Sequence, residues 1–262
     1  MKKLVSRYDK NHIALLPKIL FQGRIVVVQS EQEIVKAVAY LKSHKIIGID
    51  TETKPVFKKG RGMNPVALLQ VSTHDTCFLF RLTHTGLTDE LIDLLTDERI
   101  VRVGLSLKDD FMQLCRRRVF VPGSFVELQS IAKEMGIVDQ SLQKLYANFF
   151  EKRISKSQQL TNWEADVLTE AQKRYAATDA WACIQIYEEM QKLDRKGYML
   201  EIIPEPEPPA PPILTPEEIK LKEEQKKEKE KRKRERKRIK EKETRSRKTR
   251  RTNKEMLKNM TA

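Results

Sequence analysis

Residues 45–53, Lys-Ile-Ile-Gly-Ile-Asp-Thr-Glu-Thr, constrain the chain more than any other stretch. A run of mostly β-branched apolar side chains has the composition of a buried strand, and this one leads straight into two acids, Asp50 and Glu52. Strand residues i and i+2 share a face, so both carboxylates enter one small volume at the strand's end. Such charges repel one another unless a cation neutralises them, and hard oxygen donors favour magnesium or manganese. An Asp-x-Glu pair is also a common solvated strand exit, so the metal reading depends on further ligands elsewhere in the chain.

The neighbouring segments supply the rest of a sheet. Arg24 to Gln29 reads as a strand, and Ser30-Glu31-Gln32-Glu33 is a capping box opening an amphipathic helix to about Ser43. Val66 to Ser72 and Thr76 to Leu82 are apolar runs separated by His74-Asp75, a hairpin that makes a three-stranded antiparallel meander with the acid-bearing strand. A short helix from about Thr88 to Thr96 leads to a fourth strand at Ile100–Gly104 and then a helix with Leu107, Phe111 and Leu114 on one face. From Glu127 the pattern is helical throughout: Glu127–Met135, Ser141–Phe150, and a long helix from Thr169 to about Lys196. Thr169-Glu170-Ala171-Gln172 caps that last helix and Gly197 stops it. Strands first and helices later argue for an α/β fold with a mixed β-sheet flanked by helices.

Charge separates this unit from the C-terminal segment. The 262 residues carry a formal net charge of +14. Residues 1–200 hold 30 Lys+Arg and 24 Asp+Glu, whereas the remainder holds 21 and 13, so the basic excess per residue is several-fold higher in the tail. Pro204 to Pro212 reads as a stiff polyproline spacer. The Lys/Glu-rich run beyond Pro216 reads as a disordered or marginally helical basic C-terminal tail. Residues 231–251 contain 14 Lys+Arg against 3 Glu, which suits a polyanion, although such runs also serve simply as solubilising tails. The expected divisions are a 1–23 N-terminal extension, a 24–198 folded domain, a 199–216 linker and a 217–262 tail.

Cys77, Cys115 and Cys183 are far apart and form no Cys-x-x-Cys pair, as in a reduced intracellular protein, and the four histidines lack metal-ligand spacing. No window approaches the about 18 apolar residues of a membrane span, and Pro17 and Lys18 break the only early apolar run. The expectation is a soluble, cytoplasmic protein with no membrane partner; the oligomeric state is left open.

Two further acidic elements match the strand pair. Tyr175 and Asp179 lie four apart on one face of the Thr169 helix, among the small residues Ala176, Ala177 and Ala180 that permit close packing. Asp109 and Asp110 open a helix just beyond a core strand.

The segments Ile49–Thr53, Val103–Asp110 and Tyr175–Ala180 resemble the three exonuclease motifs of the DEDD superfamily, in the tyrosine branch that includes ribonuclease D and the Werner-syndrome exonuclease domain. Lys156–Ala165 also resembles the segment before the third motif in the Werner-type group. The resemblance covers about residues 24–195 and implies a ribonuclease H-like fold and a 3′–5′ exonuclease that releases nucleoside 5′-monophosphates. It implies that Asp50, Glu52, Asp110 and Asp179 hold two Mg2+ or Mn2+ ions, with Asp50 bridging them and Asp110, rather than Asp109, acting partly through a water. Tyr175 would orient the attacking water. The implied partner is single-stranded or 3′-ended nucleic acid, DNA slightly favoured over RNA; a non-catalytic nucleic-acid-binding protein on the same fold is the rival reading.

Candidate substrate contacts are Thr51 and Thr53 beside the acids, and Phe57, Lys58, Lys59 and Arg61 in the adjoining loop. That loop is equally an ordinary basic surface loop. Lys152 and Lys156, before the third motif, are placed to neutralise substrate phosphates. Trp163 reads as core, and the Arg116-Arg117-Arg118 cluster as either a phosphate contact or a helix end carrying favourable positive charge.

Overall fold

The structure is a computed structural model that describes residues 1–57 and 62–205, together with Glu224, Glu228, Glu230 and Arg232. In chain order the elements are β1 (Lys2–Val5), α1 (Lys10–Leu15), β2 (Arg24–Val28), α2 (Glu31–Lys42), β3 (Ile46–Thr53), β4 (Val66–Ser72), β5 (Thr76–Arg81) and α3 (Leu82–Thr85). Next come α4 (Asp89–Thr96), β6 (Val101–Gly104), α5 (Leu107–Cys115), β7 (Phe125–Glu127), α6 (Leu128–Glu134), α7 (Leu142–Phe150), α8 (Glu170–Lys196) and β8 (Tyr198–Glu201).

Local signals start and stop the elements that matter for the site. The Glu33 carboxylate accepts from the Ser30 amide at 3.0 Å while the Ser30 hydroxyl accepts from the Glu33 amide, the reciprocal pair that opens α2. Thr169 and Gln172 repeat the device at α8, and Gly197, with φ at +76°, ends it. Both caps were legible in sequence, as was the β3–β4–β5 antiparallel meander.

The six-stranded sheet has the order β2-β5-β4-β3-β6-β7, with β2–β5, β3–β6 and β6–β7 parallel. β3 is therefore central, and successive side chains divide between two layers. Ile47 and Ile49 join Leu69, Val71, Phe80 and the inward faces of α2, α4 and α5 in one apolar layer. Each such fully buried side chain contributes roughly 1.5–3 kcal/mol. The opposite face takes α8. Gly48 is what allows this: a Cβ there would lie 1.9 Å from the Ala180 carbonyl oxygen. The helix backbone thus rests directly on β3, bringing its acidic face against the strand's acids.

The chain ends of this unit differ from the sequence pattern. The segment read as an N-terminal extension contributes β1, which pairs in parallel with β8, Lys2 opposite Tyr198. Asn148 matches the backbone of Val5, accepting from its amide at 3.0 Å and donating to its carbonyl at 2.8 Å. Residues 199–201, read as the start of a linker, lie in β8, so helix does not continue throughout from Glu127. A pairing between residues almost the whole domain apart leaves no local signature.

Residues 1–205 form one unit, and 206–262 are a second. Of the second, Glu224, Glu228, Glu230 and Arg232 are helical, with an Arg232–Glu228 ion pair at 2.7 Å, the i,i+4 contact anticipated for the Lys/Glu run. The rest of the polyproline and basic segments lie outside the described residues. Among the described residues, no helix is long and apolar enough to cross a membrane.

Candidate active site

β3 supplies Asp50 and Glu52 and α8 supplies Asp179; one carboxylate oxygen from each lies within 4.8 Å of the other two. The i, i+2 spacing on β3 and the close seating of α8 over Gly48 together produce this convergence. Asp110 stands outside that trio but is tied to it: the Thr51 hydroxyl, between the two β3 acids, donates to Asp110 Oδ1 at 2.5 Å. Asp109, its neighbour on α5, is exposed. The geometry thus separates two adjacent acids that the residues alone left open.

The environment opposes charge on these acids. Burial, then the Asp179 carboxylate, raises the pKa of Asp50 well above the usual carboxylate range. Glu52 is raised by burial and by Asp50, Asp179 and Asp110. Asp110 is raised by burial and by Asp50, with the Thr51 hydrogen bond opposing. Burial also raises Asp179, while the Tyr175 hydroxyl and the Lys156 charge pull it back towards ionisation. Among the described residues none of the four acids forms an ion pair, and Asp179 Oδ1 is buried without a hydrogen-bond partner.

This donor set fits a divalent cation. Three hard carboxylates converge, Asp179 Oδ1 has no protein donor, and Cys183, the soft donor in the cavity wall, is held as a thiol because burial pushes its pKa far up. Magnesium and manganese are both compatible with carboxylates alone.

Asp50, Glu52 and Asp179 open onto a cavity of about 540 Å³ that Lys156, Tyr175 and Thr51 also line, whereas Asp110 sits behind Thr51 and is not among the lining residues. Tyr175 packs against the fully buried Trp163, ring centroids 6.0 Å apart, so Trp163 is core, as anticipated. Burial, then Asp179 and Glu52, drive the Tyr175 phenol far above its ordinary pKa, so it stays protonated.

Other sequence-proposed contacts sit elsewhere. Thr53 is half-buried at the end of β3, past a register shift at Glu52/Thr53, and is not among the cavity-lining residues. Phe57 is 80% exposed, and Lys152 is exposed and outside the cavity lining. Lys58, Lys59 and Arg61 lie outside the described residues. Arg117 and Arg118 are spent internally, donating to the Val66 carbonyl and to Asp89 respectively, both at 2.5 Å. Sequence reasoning did not single out Gln129, Gln140, Gln143 and Gln159, which line the same cavity as the acids. Neutral amides scattered over three segments carry no motif.

A mixed sheet with a central acid-bearing strand, closed by a helix that returns a Tyr and an Asp to it, is the ribonuclease H-like architecture of DEDD-type exonucleases. Residues 25–193 match the family described as 3'-5' exonuclease, and the chain belongs to that family. It is 33% identical over 179 residues to "Exonuclease 3'-5' domain-containing protein 2" of Drosophila melanogaster, covering 64% of this chain and 30% of that protein. It is 30% identical over 159 residues to "Bifunctional 3'-5' exonuclease/ATP-dependent helicase WRN" of Mus musculus, covering 58% of this chain and 11% of that one. The chain therefore spans less than a third of either relative. In fold it resembles the Aedes aegypti Nibbler EXO domain, at a TM-score of 0.60 and 21% identity, covering 74% of this chain and 94% of that domain.

Proposed function

We propose that this chain hydrolyses single-stranded or frayed nucleic acid from its 3′ end, releasing nucleoside 5′-monophosphates with the help of two divalent cations. The observation that carries the reading is the convergence of Asp50, Glu52 and Asp179 within 4.8 Å, at a cavity that Tyr175 also lines. The likeness of Lys156–Ala165 to the Werner-type segment tilts the reading slightly towards DNA over RNA.

Each residue then has a distinct task. Asp50, Glu52 and Asp179 would hold the cations, and Asp110, whose carboxylate the Thr51 hydroxyl fixes, would complete the set. When bound, the cations supply Lewis acidity towards water and the scissile phosphate and neutralise the carboxylates. Tyr175 orients the attacking water by hydrogen bonding; a phenol whose pKa is raised cannot serve as the base at neutral pH. Lys156, the one Lys or Arg among the described residues lining the cavity, offsets the charge of the terminal phosphate. Thr53, Phe57 and Lys152 would engage the strand outside the cavity, and Lys58, Lys59 and Arg61, which lie outside the described residues, remain further candidate contacts.

The test is 5′-end-labelled DNA and RNA oligonucleotides incubated with Mg2+ or Mn2+, comparing the parent with Asp50→Ala. A ladder shortening from the 3′ end, absent in the variant, supports the proposal. Binding without shortening in either protein would replace it with the non-catalytic reading.

A further inference from the structure

The Glu127 carboxylate, at the end of β7, lies against the starts of two helices. Its Oε1 accepts from the Ser106 amide at 2.9 Å and from the Gln129 amide at 3.2 Å, and its Oε2 accepts from the Leu107 amide at 2.8 Å. Three backbone N–H groups, at the beginnings of α5 and α6, thus share one carboxylate. The Gln129 bond is an ordinary N-cap of α6. The other two reach across from a separate strand and cap α5, whose own N-cap residue, Ser106, makes no side-chain capping bond.

Ser106 also carries the strain of this arrangement. Its φ is +64°, the left-handed region that a serine adopts at a cost of about 1 kcal/mol or more. That conformation turns the chain sharply from β6 into α5, presenting the Ser106 and Leu107 amides to Glu127. Asp110 lies in the first turn of α5, its amide bonded to the Ser106 carbonyl at 3.3 Å and its carboxylate to Thr51 at 2.5 Å.

We infer that Glu127 is a positioning residue that fixes the first turn of α5 and so sets Asp110 in register with the β3 acids. The contacts run from Glu127 through the Ser106 and Leu107 amides to the helix start, then to Asp110, Thr51 and the strand carrying Asp50 and Glu52. Glu127 is absent from the cavity lining and acts through Asp110. Its interaction with the helix start is charge-assisted and favoured by the helix dipole, so a neutral isostere keeps the shape and loses the hold. The kinetic part of this inference rests on the proposed exonuclease; the structural part does not.

The experiment compares the full-length parent with Glu127→Gln and Glu127→Asp by three measurements. Backbone amide exchange on the metal-free proteins should be faster at Ser106 and Leu107 in Glu127→Gln, with the β3–β4 amides unchanged. Mn2+ affinity, followed by electron paramagnetic resonance, and kcat should each fall about 10- to 100-fold, as when partners behind metal ligands are removed, with KM unchanged. Glu127→Asp keeps the charge one methylene farther back and should recover part of both; it also decides the matter if Glu127→Gln does not fold. Unchanged exchange at Ser106 and Leu107, or unchanged Mn2+ affinity with faster exchange, overturns the inference. If the parent itself shortens no oligonucleotide, the proposed function fails, and the exchange and Mn2+ results still decide the role of Glu127.

Discussion

Replacing Asp179 with Asn should make the metal-free protein more stable while abolishing its activity. Asp179 faces both Asp50 and Glu52 with oxygens within 4.8 Å. At an effective dielectric constant of about 20, two unit charges at that separation repel by about 3.5 kcal/mol, so full ionisation of the trio would set Asp179 against roughly twice that. Proton uptake relieves part of this. The sign comes from the direction of the shifts. Asp50 is raised to about 8 in the folded chain, chiefly by burial and then by Asp179. A carboxylate raised on folding lowers stability progressively as pH rises from its unfolded value near 4 towards its folded value, and no further above it. The Asn advantage should therefore be small near pH 4 and reach about 2–4 kcal/mol at pH 8, or about 5–10 °C in melting temperature for a domain of this size. Saturating Mg2+ should close or reverse the gap, because the parent gains about 2.7 kcal/mol at one hundred times its dissociation constant and the variant gains less. The assay is thermal melting with chelator or Mg2+ between pH 4 and pH 8. An Asn variant that melts at or below the parent in chelator at pH 8 would refute the reasoning.

Individual contacts lead to other outcomes. Tyr175→Phe should lose about 10²-fold or more in kcat while keeping Mn2+ affinity, measured by steady-state hydrolysis and metal titration; an equal loss in metal affinity would make the tyrosine a structural support. Gly48→Ala forces a methyl to within 1.9 Å of the Ala180 carbonyl, so α8 must shift. Stability should fall by about 1–3 kcal/mol and activity with it, and an unaltered melting curve would mean the helix seat is loose. Truncation after Glu205 removes most of the basic excess and should weaken oligonucleotide binding while flattening its dependence on salt, measured by anisotropy from low to high ionic strength. An unchanged slope would dissociate the tail from substrate.

The parts of this molecule that could be read in advance are those whose physics is local. The β3 pattern, the capping boxes at Ser30 and Thr169, and the Tyr175–Asp179 spacing each state their structure within a few residues. Other parts depend on partners that carry no sequence signal. Arg102 is fully buried because its guanidinium donates to the carbonyls of Leu94, Asp97 and Ser124, at 3.2, 2.6 and 2.6 Å. Arg81 likewise donates to the Ala165 and Asp166 carbonyls, at 2.5 and 3.2 Å, bracing the segment that leads into α8. Backbone acceptors look alike in every sequence, so neither arginine announces its burial. Glu127 reads as an ordinary acid at a helix start, and its bonds to α5 emerge only when β7 pairs with β6. Gly48 was legible as part of a strand, but its closeness to Ala180 belongs to tertiary packing.

The measurement that bears most directly on the acid cluster as a cation site is a Mn2+ titration of the full chain, with a nucleoside 5′-monophosphate present, followed by loss of the free-ion resonance signal. Two ions should bind per chain in the parent, and at most one, weakly, in Asp50→Asn, if Asp50 serves both ions as the family resemblance implies. Uptake that is absent in the parent, or identical in the two proteins, would contradict the account.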